Sequence, residues 1–257
     1  MTILDKILLE KENEVANLKE NYQPRTAPFS GEQRSLYQTF MQSDSMNIIA
    51  EIKRASPSKG VINQGVNPAE QAKNYQSYGA GAISVLTDQP FFKGTMEDLQ
   101  TVRTNVEVPI LNKDFIIDEI QIDRASDYGA NVILLIAAAL PPNRLAELYM
   151  YATNKGLEVL FEVHNEDEMA VANEIGATIV GINNRDLKTF EVDLAITEKL
   201  APKVEKSDAL IISESGFKTT ADVKRIMQAG VKGILVGETM MRSGDLQQTF
   251  SDLRIRF

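Results

Sequence analysis

From about residue 48 onward, short β-branched or apolar runs alternate with longer amphipathic stretches, and that alternation predicts successive βα units. Strands are expected at 48–53, 82–86, 109–112, 131–135, 157–162, 178–181, 209–213 and 233–236, eight in all. The intervening helices are expected at 68–78, 96–104, 118–128, 142–154, 167–174, 194–200, 220–228 and 245–253. Pro68 and Pro142 mark helix starts, and Gly79, Gly129, Gly156, Gly176 and Gly230 mark helix stops.

An internal echo sharpens this pattern. YGAGAISV, YGANVILL, IGATIVGI and AGVKGILVG each read as helix end, glycine, then buried strand, and they fall near the second, fourth, sixth and eighth strands. A Gly at the end of a helix is common in any αβ loop, but four copies in phase favour a (β/α)8 TIM barrel over an open doubly wound sheet, which stays open as the alternative. The first 45 or so residues lie outside the repeat. Ile3, Leu4, Ile7, Leu8, Val15 and Leu18 mark one helical face, and Leu36, Tyr37, Phe40 and Met41 mark another after a break at 24–28. They are expected to form an N-terminal helical extension packed on the barrel, within a single domain of 1–257.

Composition narrows the chemistry. A chain of 257 residues, 43% apolar, has the length of one closed α/β barrel. It has no cysteine and one histidine, His164, so disulfides, thiolate chemistry and metal clusters built on several histidines are excluded. The HNEDE segment at 164–168 reads as a helix start, with Asn165 as cap and acidic residues in the first turn, in preference to a metal site. A net charge of −9 opposes nucleic-acid binding. The longest apolar run, 132–140, is too short to cross a bilayer, and charged residues interrupt the apolar stretch at 7–9, so neither a membrane span nor a signal peptide is expected. The expectation is a cytoplasmic monomer acting on a small molecule, with no metal or organic cofactor.

In a barrel, functional groups sit where strands end and βα loops begin. Those positions carry Glu51, Lys53, Lys113, Glu162, Asn183, Arg185, Glu214, Ser215, Gly237 and Glu238. Ionised groups in apolar strands lose hydration and need partners, so Glu51, Lys53 and Glu162 are costly as a set unless they are used. SESG after the seventh strand and VGE after the eighth place glycine backbone where many barrels bind phosphate. A phosphate-binding barrel enzyme follows from these positions alone. A Schiff-base aldolase with Lys113 as nucleophile and a silent phosphate-ligand binder remain as rivals.

EIKRASPSKG at 51–60, LNKDFI at 111–116, FEVH at 161–164, GINNRDL at 181–187, SESG at 213–216 and VGETMM at 236–241 occur in that order. The set resembles the indole-3-glycerol phosphate synthase family from about residue 3 to the C-terminus. The resemblance implies conversion of 1-(2-carboxyphenylamino)-1-deoxyribulose 5-phosphate to indole-3-glycerol phosphate, with loss of CO2 and water. It implies Lys113 as the first general acid, Lys53 on the substrate carboxylate and in dehydration, Glu162 as base, and Glu51 as the partner that orients Lys53. Asn183 would bond a substrate hydroxyl, Arg185 an anionic group, and Glu214 and Ser215 would complete the polar rim. Ser56, Ser215, Gly216, Gly237 and Glu238 carry over to the phosphate site, Glu238 through its backbone only, since its carboxylate would repel the phosphate. Phe92, Phe115 and Leu134 are candidates for the pocket around the aromatic ring. The loop 54–60 is a candidate for closing over the substrate.

Overall fold

The computed structural model describes residues 1–24 and 34–257, so most of the break expected at 24–28 lies outside the described residues. Eight parallel strands close on themselves: β1 (Asn47–Ile52), β2 (Ala82–Leu86), β3 (Ile110–Lys113), β4 (Val132–Ile136), β5 (Glu158–Val163), β6 (Ile179–Asn183), β7 (Leu210–Glu214) and β8 (Gly233–Val236). Closure runs through β1 and β8, where Asn47 pairs with Gly233 and Ala50 with Val236. The open-sheet alternative is thereby replaced by a (β/α)8 barrel. Two strands coincide with the expected spans, and several others reach one or two residues further toward the C-terminus. That difference brings Lys113, Asn183 and Glu214 into the last strand residues, held by ladder hydrogen bonds instead of hanging in loops.

Helices α1 (Ile3–Asn21) and α2 (Leu36–Met41) precede the barrel. Those that follow are α3 (Pro68–Ser77), α4 (Gln89–Phe92), α5 (Met96–Arg103), α6 (Glu119–Asp127), α7 (Pro142–Asn154), α8 (Glu166–Ile175), α9 (Ala195–Leu200), α10 (Thr220–Met227), α11 (Glu238–Arg242) and α12 (Leu246–Leu253). Local chemistry sets their ends. Asn67, Thr95, Asp118, Asn165 and Thr219 each accept a backbone N–H in the first turn of the helix that follows. Gly176 closes α8 in the left-handed region, at φ 73°.

Period-two alternation divides the apolar residues into two cores. Ile48, Ala50 and Ile52 face the helices, while Ile49 joins Ala82, Leu111, Leu134, Leu160, Ile212 and Leu235 inside the barrel. The N-terminal extension serves both ends of that barrel. At the bottom, Phe40 of α2 is fully buried in the inner core. Its ring occupies the space that side chains at Gly81 and Gly233 would need, with a built Cβ only 2.8 and 2.5 Å from ring atoms. Glu158, at the start of β5, accepts the backbone N–H of Leu36 at 2.7 Å and the hydroxyl of Ser35 at 2.5 Å, which seats α2 there.

At the other end α1 reaches the mouth. Its buried stripe is Leu4, Ile7, Lys11 and Val15. Lys11 carries its charge into the fold, with Nζ 3.1 Å from Asp88 after β2 and 2.8 Å from Asp114 after β3. Among the described residues, no helix is long and apolar enough to cross a membrane.

Candidate active site

A cavity of about 940 Å³ opens at the C-terminal ends of the strands. Residues two apart on a strand share a face, so Glu51 and Lys53 both point inward from β1 and its end. The Lys53 ammonium lies 2.6 Å from Glu51 Oε1. Across the mouth, Lys113 Nζ donates to Glu162 Oε2 at 2.9 Å and to Glu214 Oε2 at 2.7 Å, bridging β3 to β5 and β7. Space for these carboxylates comes from glycine. A Cβ at Gly181 would lie 2.3 Å from Glu214 Oε1, and one at Gly237 would lie 2.2 Å from Glu51 Oε1 and 2.9 Å from Lys53 Nζ.

The charges are unequal in a way that burial and neighbours explain. Burial works against the Lys113 ammonium, but Glu162, Glu214 and Glu51 outweigh it and hold its proton well above the usual lysine range. Burial also opposes ionisation of Glu162, yet Lys113 and His164 keep its carboxyl well below the usual range. Glu214 goes the other way. Burial, reinforced by repulsion from Glu162 and only partly offset by Lys113, pushes it up to about 7. Two carboxylates on one ammonium therefore differ, one firmly ionised and one able to hold a proton near neutrality. Glu214 Oε1 is buried with no hydrogen-bond partner, as suits a group not fully committed to its charge.

The rim is polar. The Ser215 backbone lies in the left-handed region at φ 69°, an uncommon conformation for serine, and its hydroxyl donates to Asn183 Oδ1 at 3.0 Å. The same Asn183 oxygen accepts the backbone N–H of Arg185 at 3.0 Å. Gly216, Gly237 and Glu238 line the adjoining wall with Ser56. The Glu238 carboxylate is engaged by cations, 3.3 Å from Arg242 and 3.7 Å from Lys59, which offsets the repulsion expected of it. The cavity is also lined by Phe92 and Phe115, whose rings stand 5.9 Å apart and tilted, and by Leu134. Every residue expected at the site lines this one cavity.

A family model for indole-3-glycerol phosphate synthase matches residues 4–253. The chain belongs to the indole-3-glycerol phosphate synthase family. A relative of that name from Oceanobacillus iheyensis is 53% identical, over 99% of this chain and 97% of the relative. Another, from Bacillus cereus, is 51% identical over 99% of this chain and 98% of its own length. Among solved structures, thiamine phosphate pyrophosphorylase from Pyrococcus furiosus superposes with a TM-score of 0.60, covering 85% of this chain and 96% of that one. At 17% identity that likeness concerns the barrel alone.

In this family member the cavity has walls that strand-end reasoning does not reach. Ile3, Leu4 and Ile7 of α1 line it, as do Leu187 and Phe190 in the loop after β6. That loop folds back through an antiparallel bridge between Arg185 and Val192, and Arg185 donates to the Phe190 carbonyl at 3.2 Å. Lys59, Lys218 and Arg242 add cations near the glycines of the last two loops. The amphipathic face of α1 was the one available signal, but periodicity shows that a face is buried and not against what. The segment 54–60 is part of a small hairpin, Ala55 pairing with Val61 and Ser56 with Gly60, whose tip residues Pro57, Ser58 and Lys59 overhang the cavity.

Proposed function

We propose that this mouth closes an indole ring, converting 1-(2-carboxyphenylamino)-1-deoxyribulose 5-phosphate to indole-3-glycerol phosphate as a carboxy-lyase of tryptophan biosynthesis. The supporting observation is the Lys113 ammonium clamped between Glu162 and Glu214, opposite the Glu51–Lys53 pair. In the first step the aromatic carbon bearing the carboxylate attacks the C2 carbonyl. As that oxygen becomes an alkoxide, its basicity exceeds that of an amine, and Lys113 delivers a proton to it. Loss of CO2 returns the bonding electrons to the ring. In the second step the new hydroxyl takes another proton, from Lys53, and leaves as water, while Glu162 removes a proton from the methylene carbon next to nitrogen. Two protons are supplied and one is recovered, so each turnover draws one proton from solution.

The remaining residues bind. Phe92, Phe115 and Leu134, with Ile3, Leu4 and Ile7, form an apolar wall suited to the anthranilate ring. Asn183 and Ser215 bond the sugar hydroxyls, and Arg185 supports an anionic group. Ser56, Gly216, Gly237 and the Glu238 backbone, flanked by Lys59, Lys218 and Arg242, take the phosphate. We place the enzyme in the cytoplasm as a monomer, with no nucleic-acid or membrane partner and no cofactor.

A Schiff-base aldolase is the rival chemistry, and it needs a neutral amine. Lys113 is held as an ammonium, which counts against that reading. The deciding experiment is incubation of purified protein plus EDTA with the carboxyphenylamino-deoxyribulose phosphate, following indole fluorescence. Product should form with the native chain and fall by about 10²–10⁴-fold in a folded Lys113→Ala variant. No product from folded native protein would sink the proposal, and borohydride trapping of a substrate–lysine adduct would favour the aldolase.

A further inference from the structure

His164 is the one histidine in the chain, and the reaction above leaves it unused. It follows Glu162 by two residues, directly after the last residue of β5, so the two side chains lie on the same side of the chain. Its ring is held from behind. Nδ1 lies 3.1 Å from Glu168 Oε2, the oxygen that also accepts the His164 backbone N–H at 2.7 Å. Glu168 is itself fixed at the start of α8: its N–H donates to Asn165 Oδ1 at 3.0 Å, and its Oε1 accepts from the Asn165 side-chain amide at 2.6 Å. With Nδ1 turned to Glu168, Nε2 faces Glu162 Oε1 at 3.3 Å. The other oxygen of Glu162 faces Lys113.

We infer that His164 is a positioning residue for Glu162, its imidazolium keeping that carboxylate ionised and turned so that one oxygen stays on Lys113. Nε2 makes no well-aligned hydrogen bond, and at 3.3 Å from Glu162 Oε1 it is coupled to that carboxylate by a close polar contact between opposite charges. Burial alone would discharge the ring, but Glu162 and Glu168 more than compensate and raise it to about 10. The ring is thus cationic at neutral pH. The groups acting on Glu162 are Lys113 from β3 and His164 just past the end of β5, with Glu214 from β7 sharing the Lys113 ammonium. Those facing His164 are Glu162 and Glu168. A base wedged between two cations takes up a solvent proton reluctantly and so is unprotonated when substrate arrives.

The inference rests on Glu162 as the base, and the test separates the two claims. Carboxyl carbon NMR titration of Glu162, which needs no turnover, should show its pKa rising by about one unit or more in His164→Asn and His164→Gln. The acid limb of kcat/KM against pH should move up by the same amount, with the alkaline plateau largely kept, and His164→Lys should return the limb toward its native position. A Glu162 titration unmoved in a folded His164→Gln protein overturns the inference, as does a loss of kcat uniform across pH. If the titration moves but Glu162→Gln remains active, the base assignment fails and the electrostatic coupling stands.

Discussion

At the scale of single residues, the glycines of this mouth are explained as much by the carboxylates beside them as by phosphate. Gly237 has φ −113°, outside the left-handed region that favours glycine, so Gly237→Ala should fold. Its methyl would meet Glu51 Oε1 and Lys53 Nζ, and splitting that 2.6 Å pair should cost at least tenfold in kcat/KM, with Tm little changed by differential scanning fluorimetry. Glu214 supplies a second test. Its pKa of about 7 lies above the ordinary carboxylate value, so the group is mostly neutral below pH 7 and ionises above it. Glu214→Gln fixes the neutral state. The native pH profile should therefore show an inflection near 7 that this variant lacks, the two agreeing best on the acid side. A variant with the same inflection would assign it to another group. The charged members of the site were legible in sequence because an ionised side chain in an apolar strand asks for a reason. The unequal ionisation of Glu162 and Glu214 was not, since it depends on which neighbours three separate strands bring together.

At the scale of elements, α1 is the part whose role could not be read in advance. Apolar periodicity marks Leu4, Ile7 and Val15 and does not mark Lys11, since a lysine ordinarily signals solvent. Yet it falls four residues after Ile7 and four before Val15, within the buried stripe, and its ammonium finds Asp88 and Asp114. Asp88 also accepts the backbone N–H groups of Phe91 and Phe92, and Asp114 directly follows Lys113, so one ion cluster ties α1 to an aromatic wall and to the proposed acid. Lys11→Met should leave buried carboxylates without their cation and cost about 3–5 kcal/mol in urea unfolding. It should also raise KM as Phe92 loosens, an effect that a purely peripheral helix would not have. By contrast, the strands were legible almost to the residue, because inward and outward positions alternate and caps such as Asn165 carry their own chemistry.

At the scale of the whole molecule, the two ends of the barrel separate stability from chemistry. The bottom holds Phe40, the glycines 81 and 233 that make room for its ring, and Glu158 capping the helix that carries it. None of these lines the catalytic cavity. Phe40→Ala removes a fully buried ring from the inner core and leaves a void that β-strands locked in a closed ladder cannot collapse to fill. The expected cost is about 3–5 kcal/mol, read from equilibrium denaturation, with kcat near native at temperatures where the variant stays folded. The mouth should behave in the opposite way, and its contribution to stability should depend on pH. His164 is raised in the folded protein to about 10, so its ion pairs stabilise fully below the ordinary histidine pKa and fade as pH climbs through the folded value. Native protein should therefore lose stability between about pH 6.5 and 10. Phe40→Ala should keep that slope while lying below the native curve throughout, and His164→Gln should flatten it. Parallel curves for all three proteins would mean that the imidazolium contributes nothing to folding.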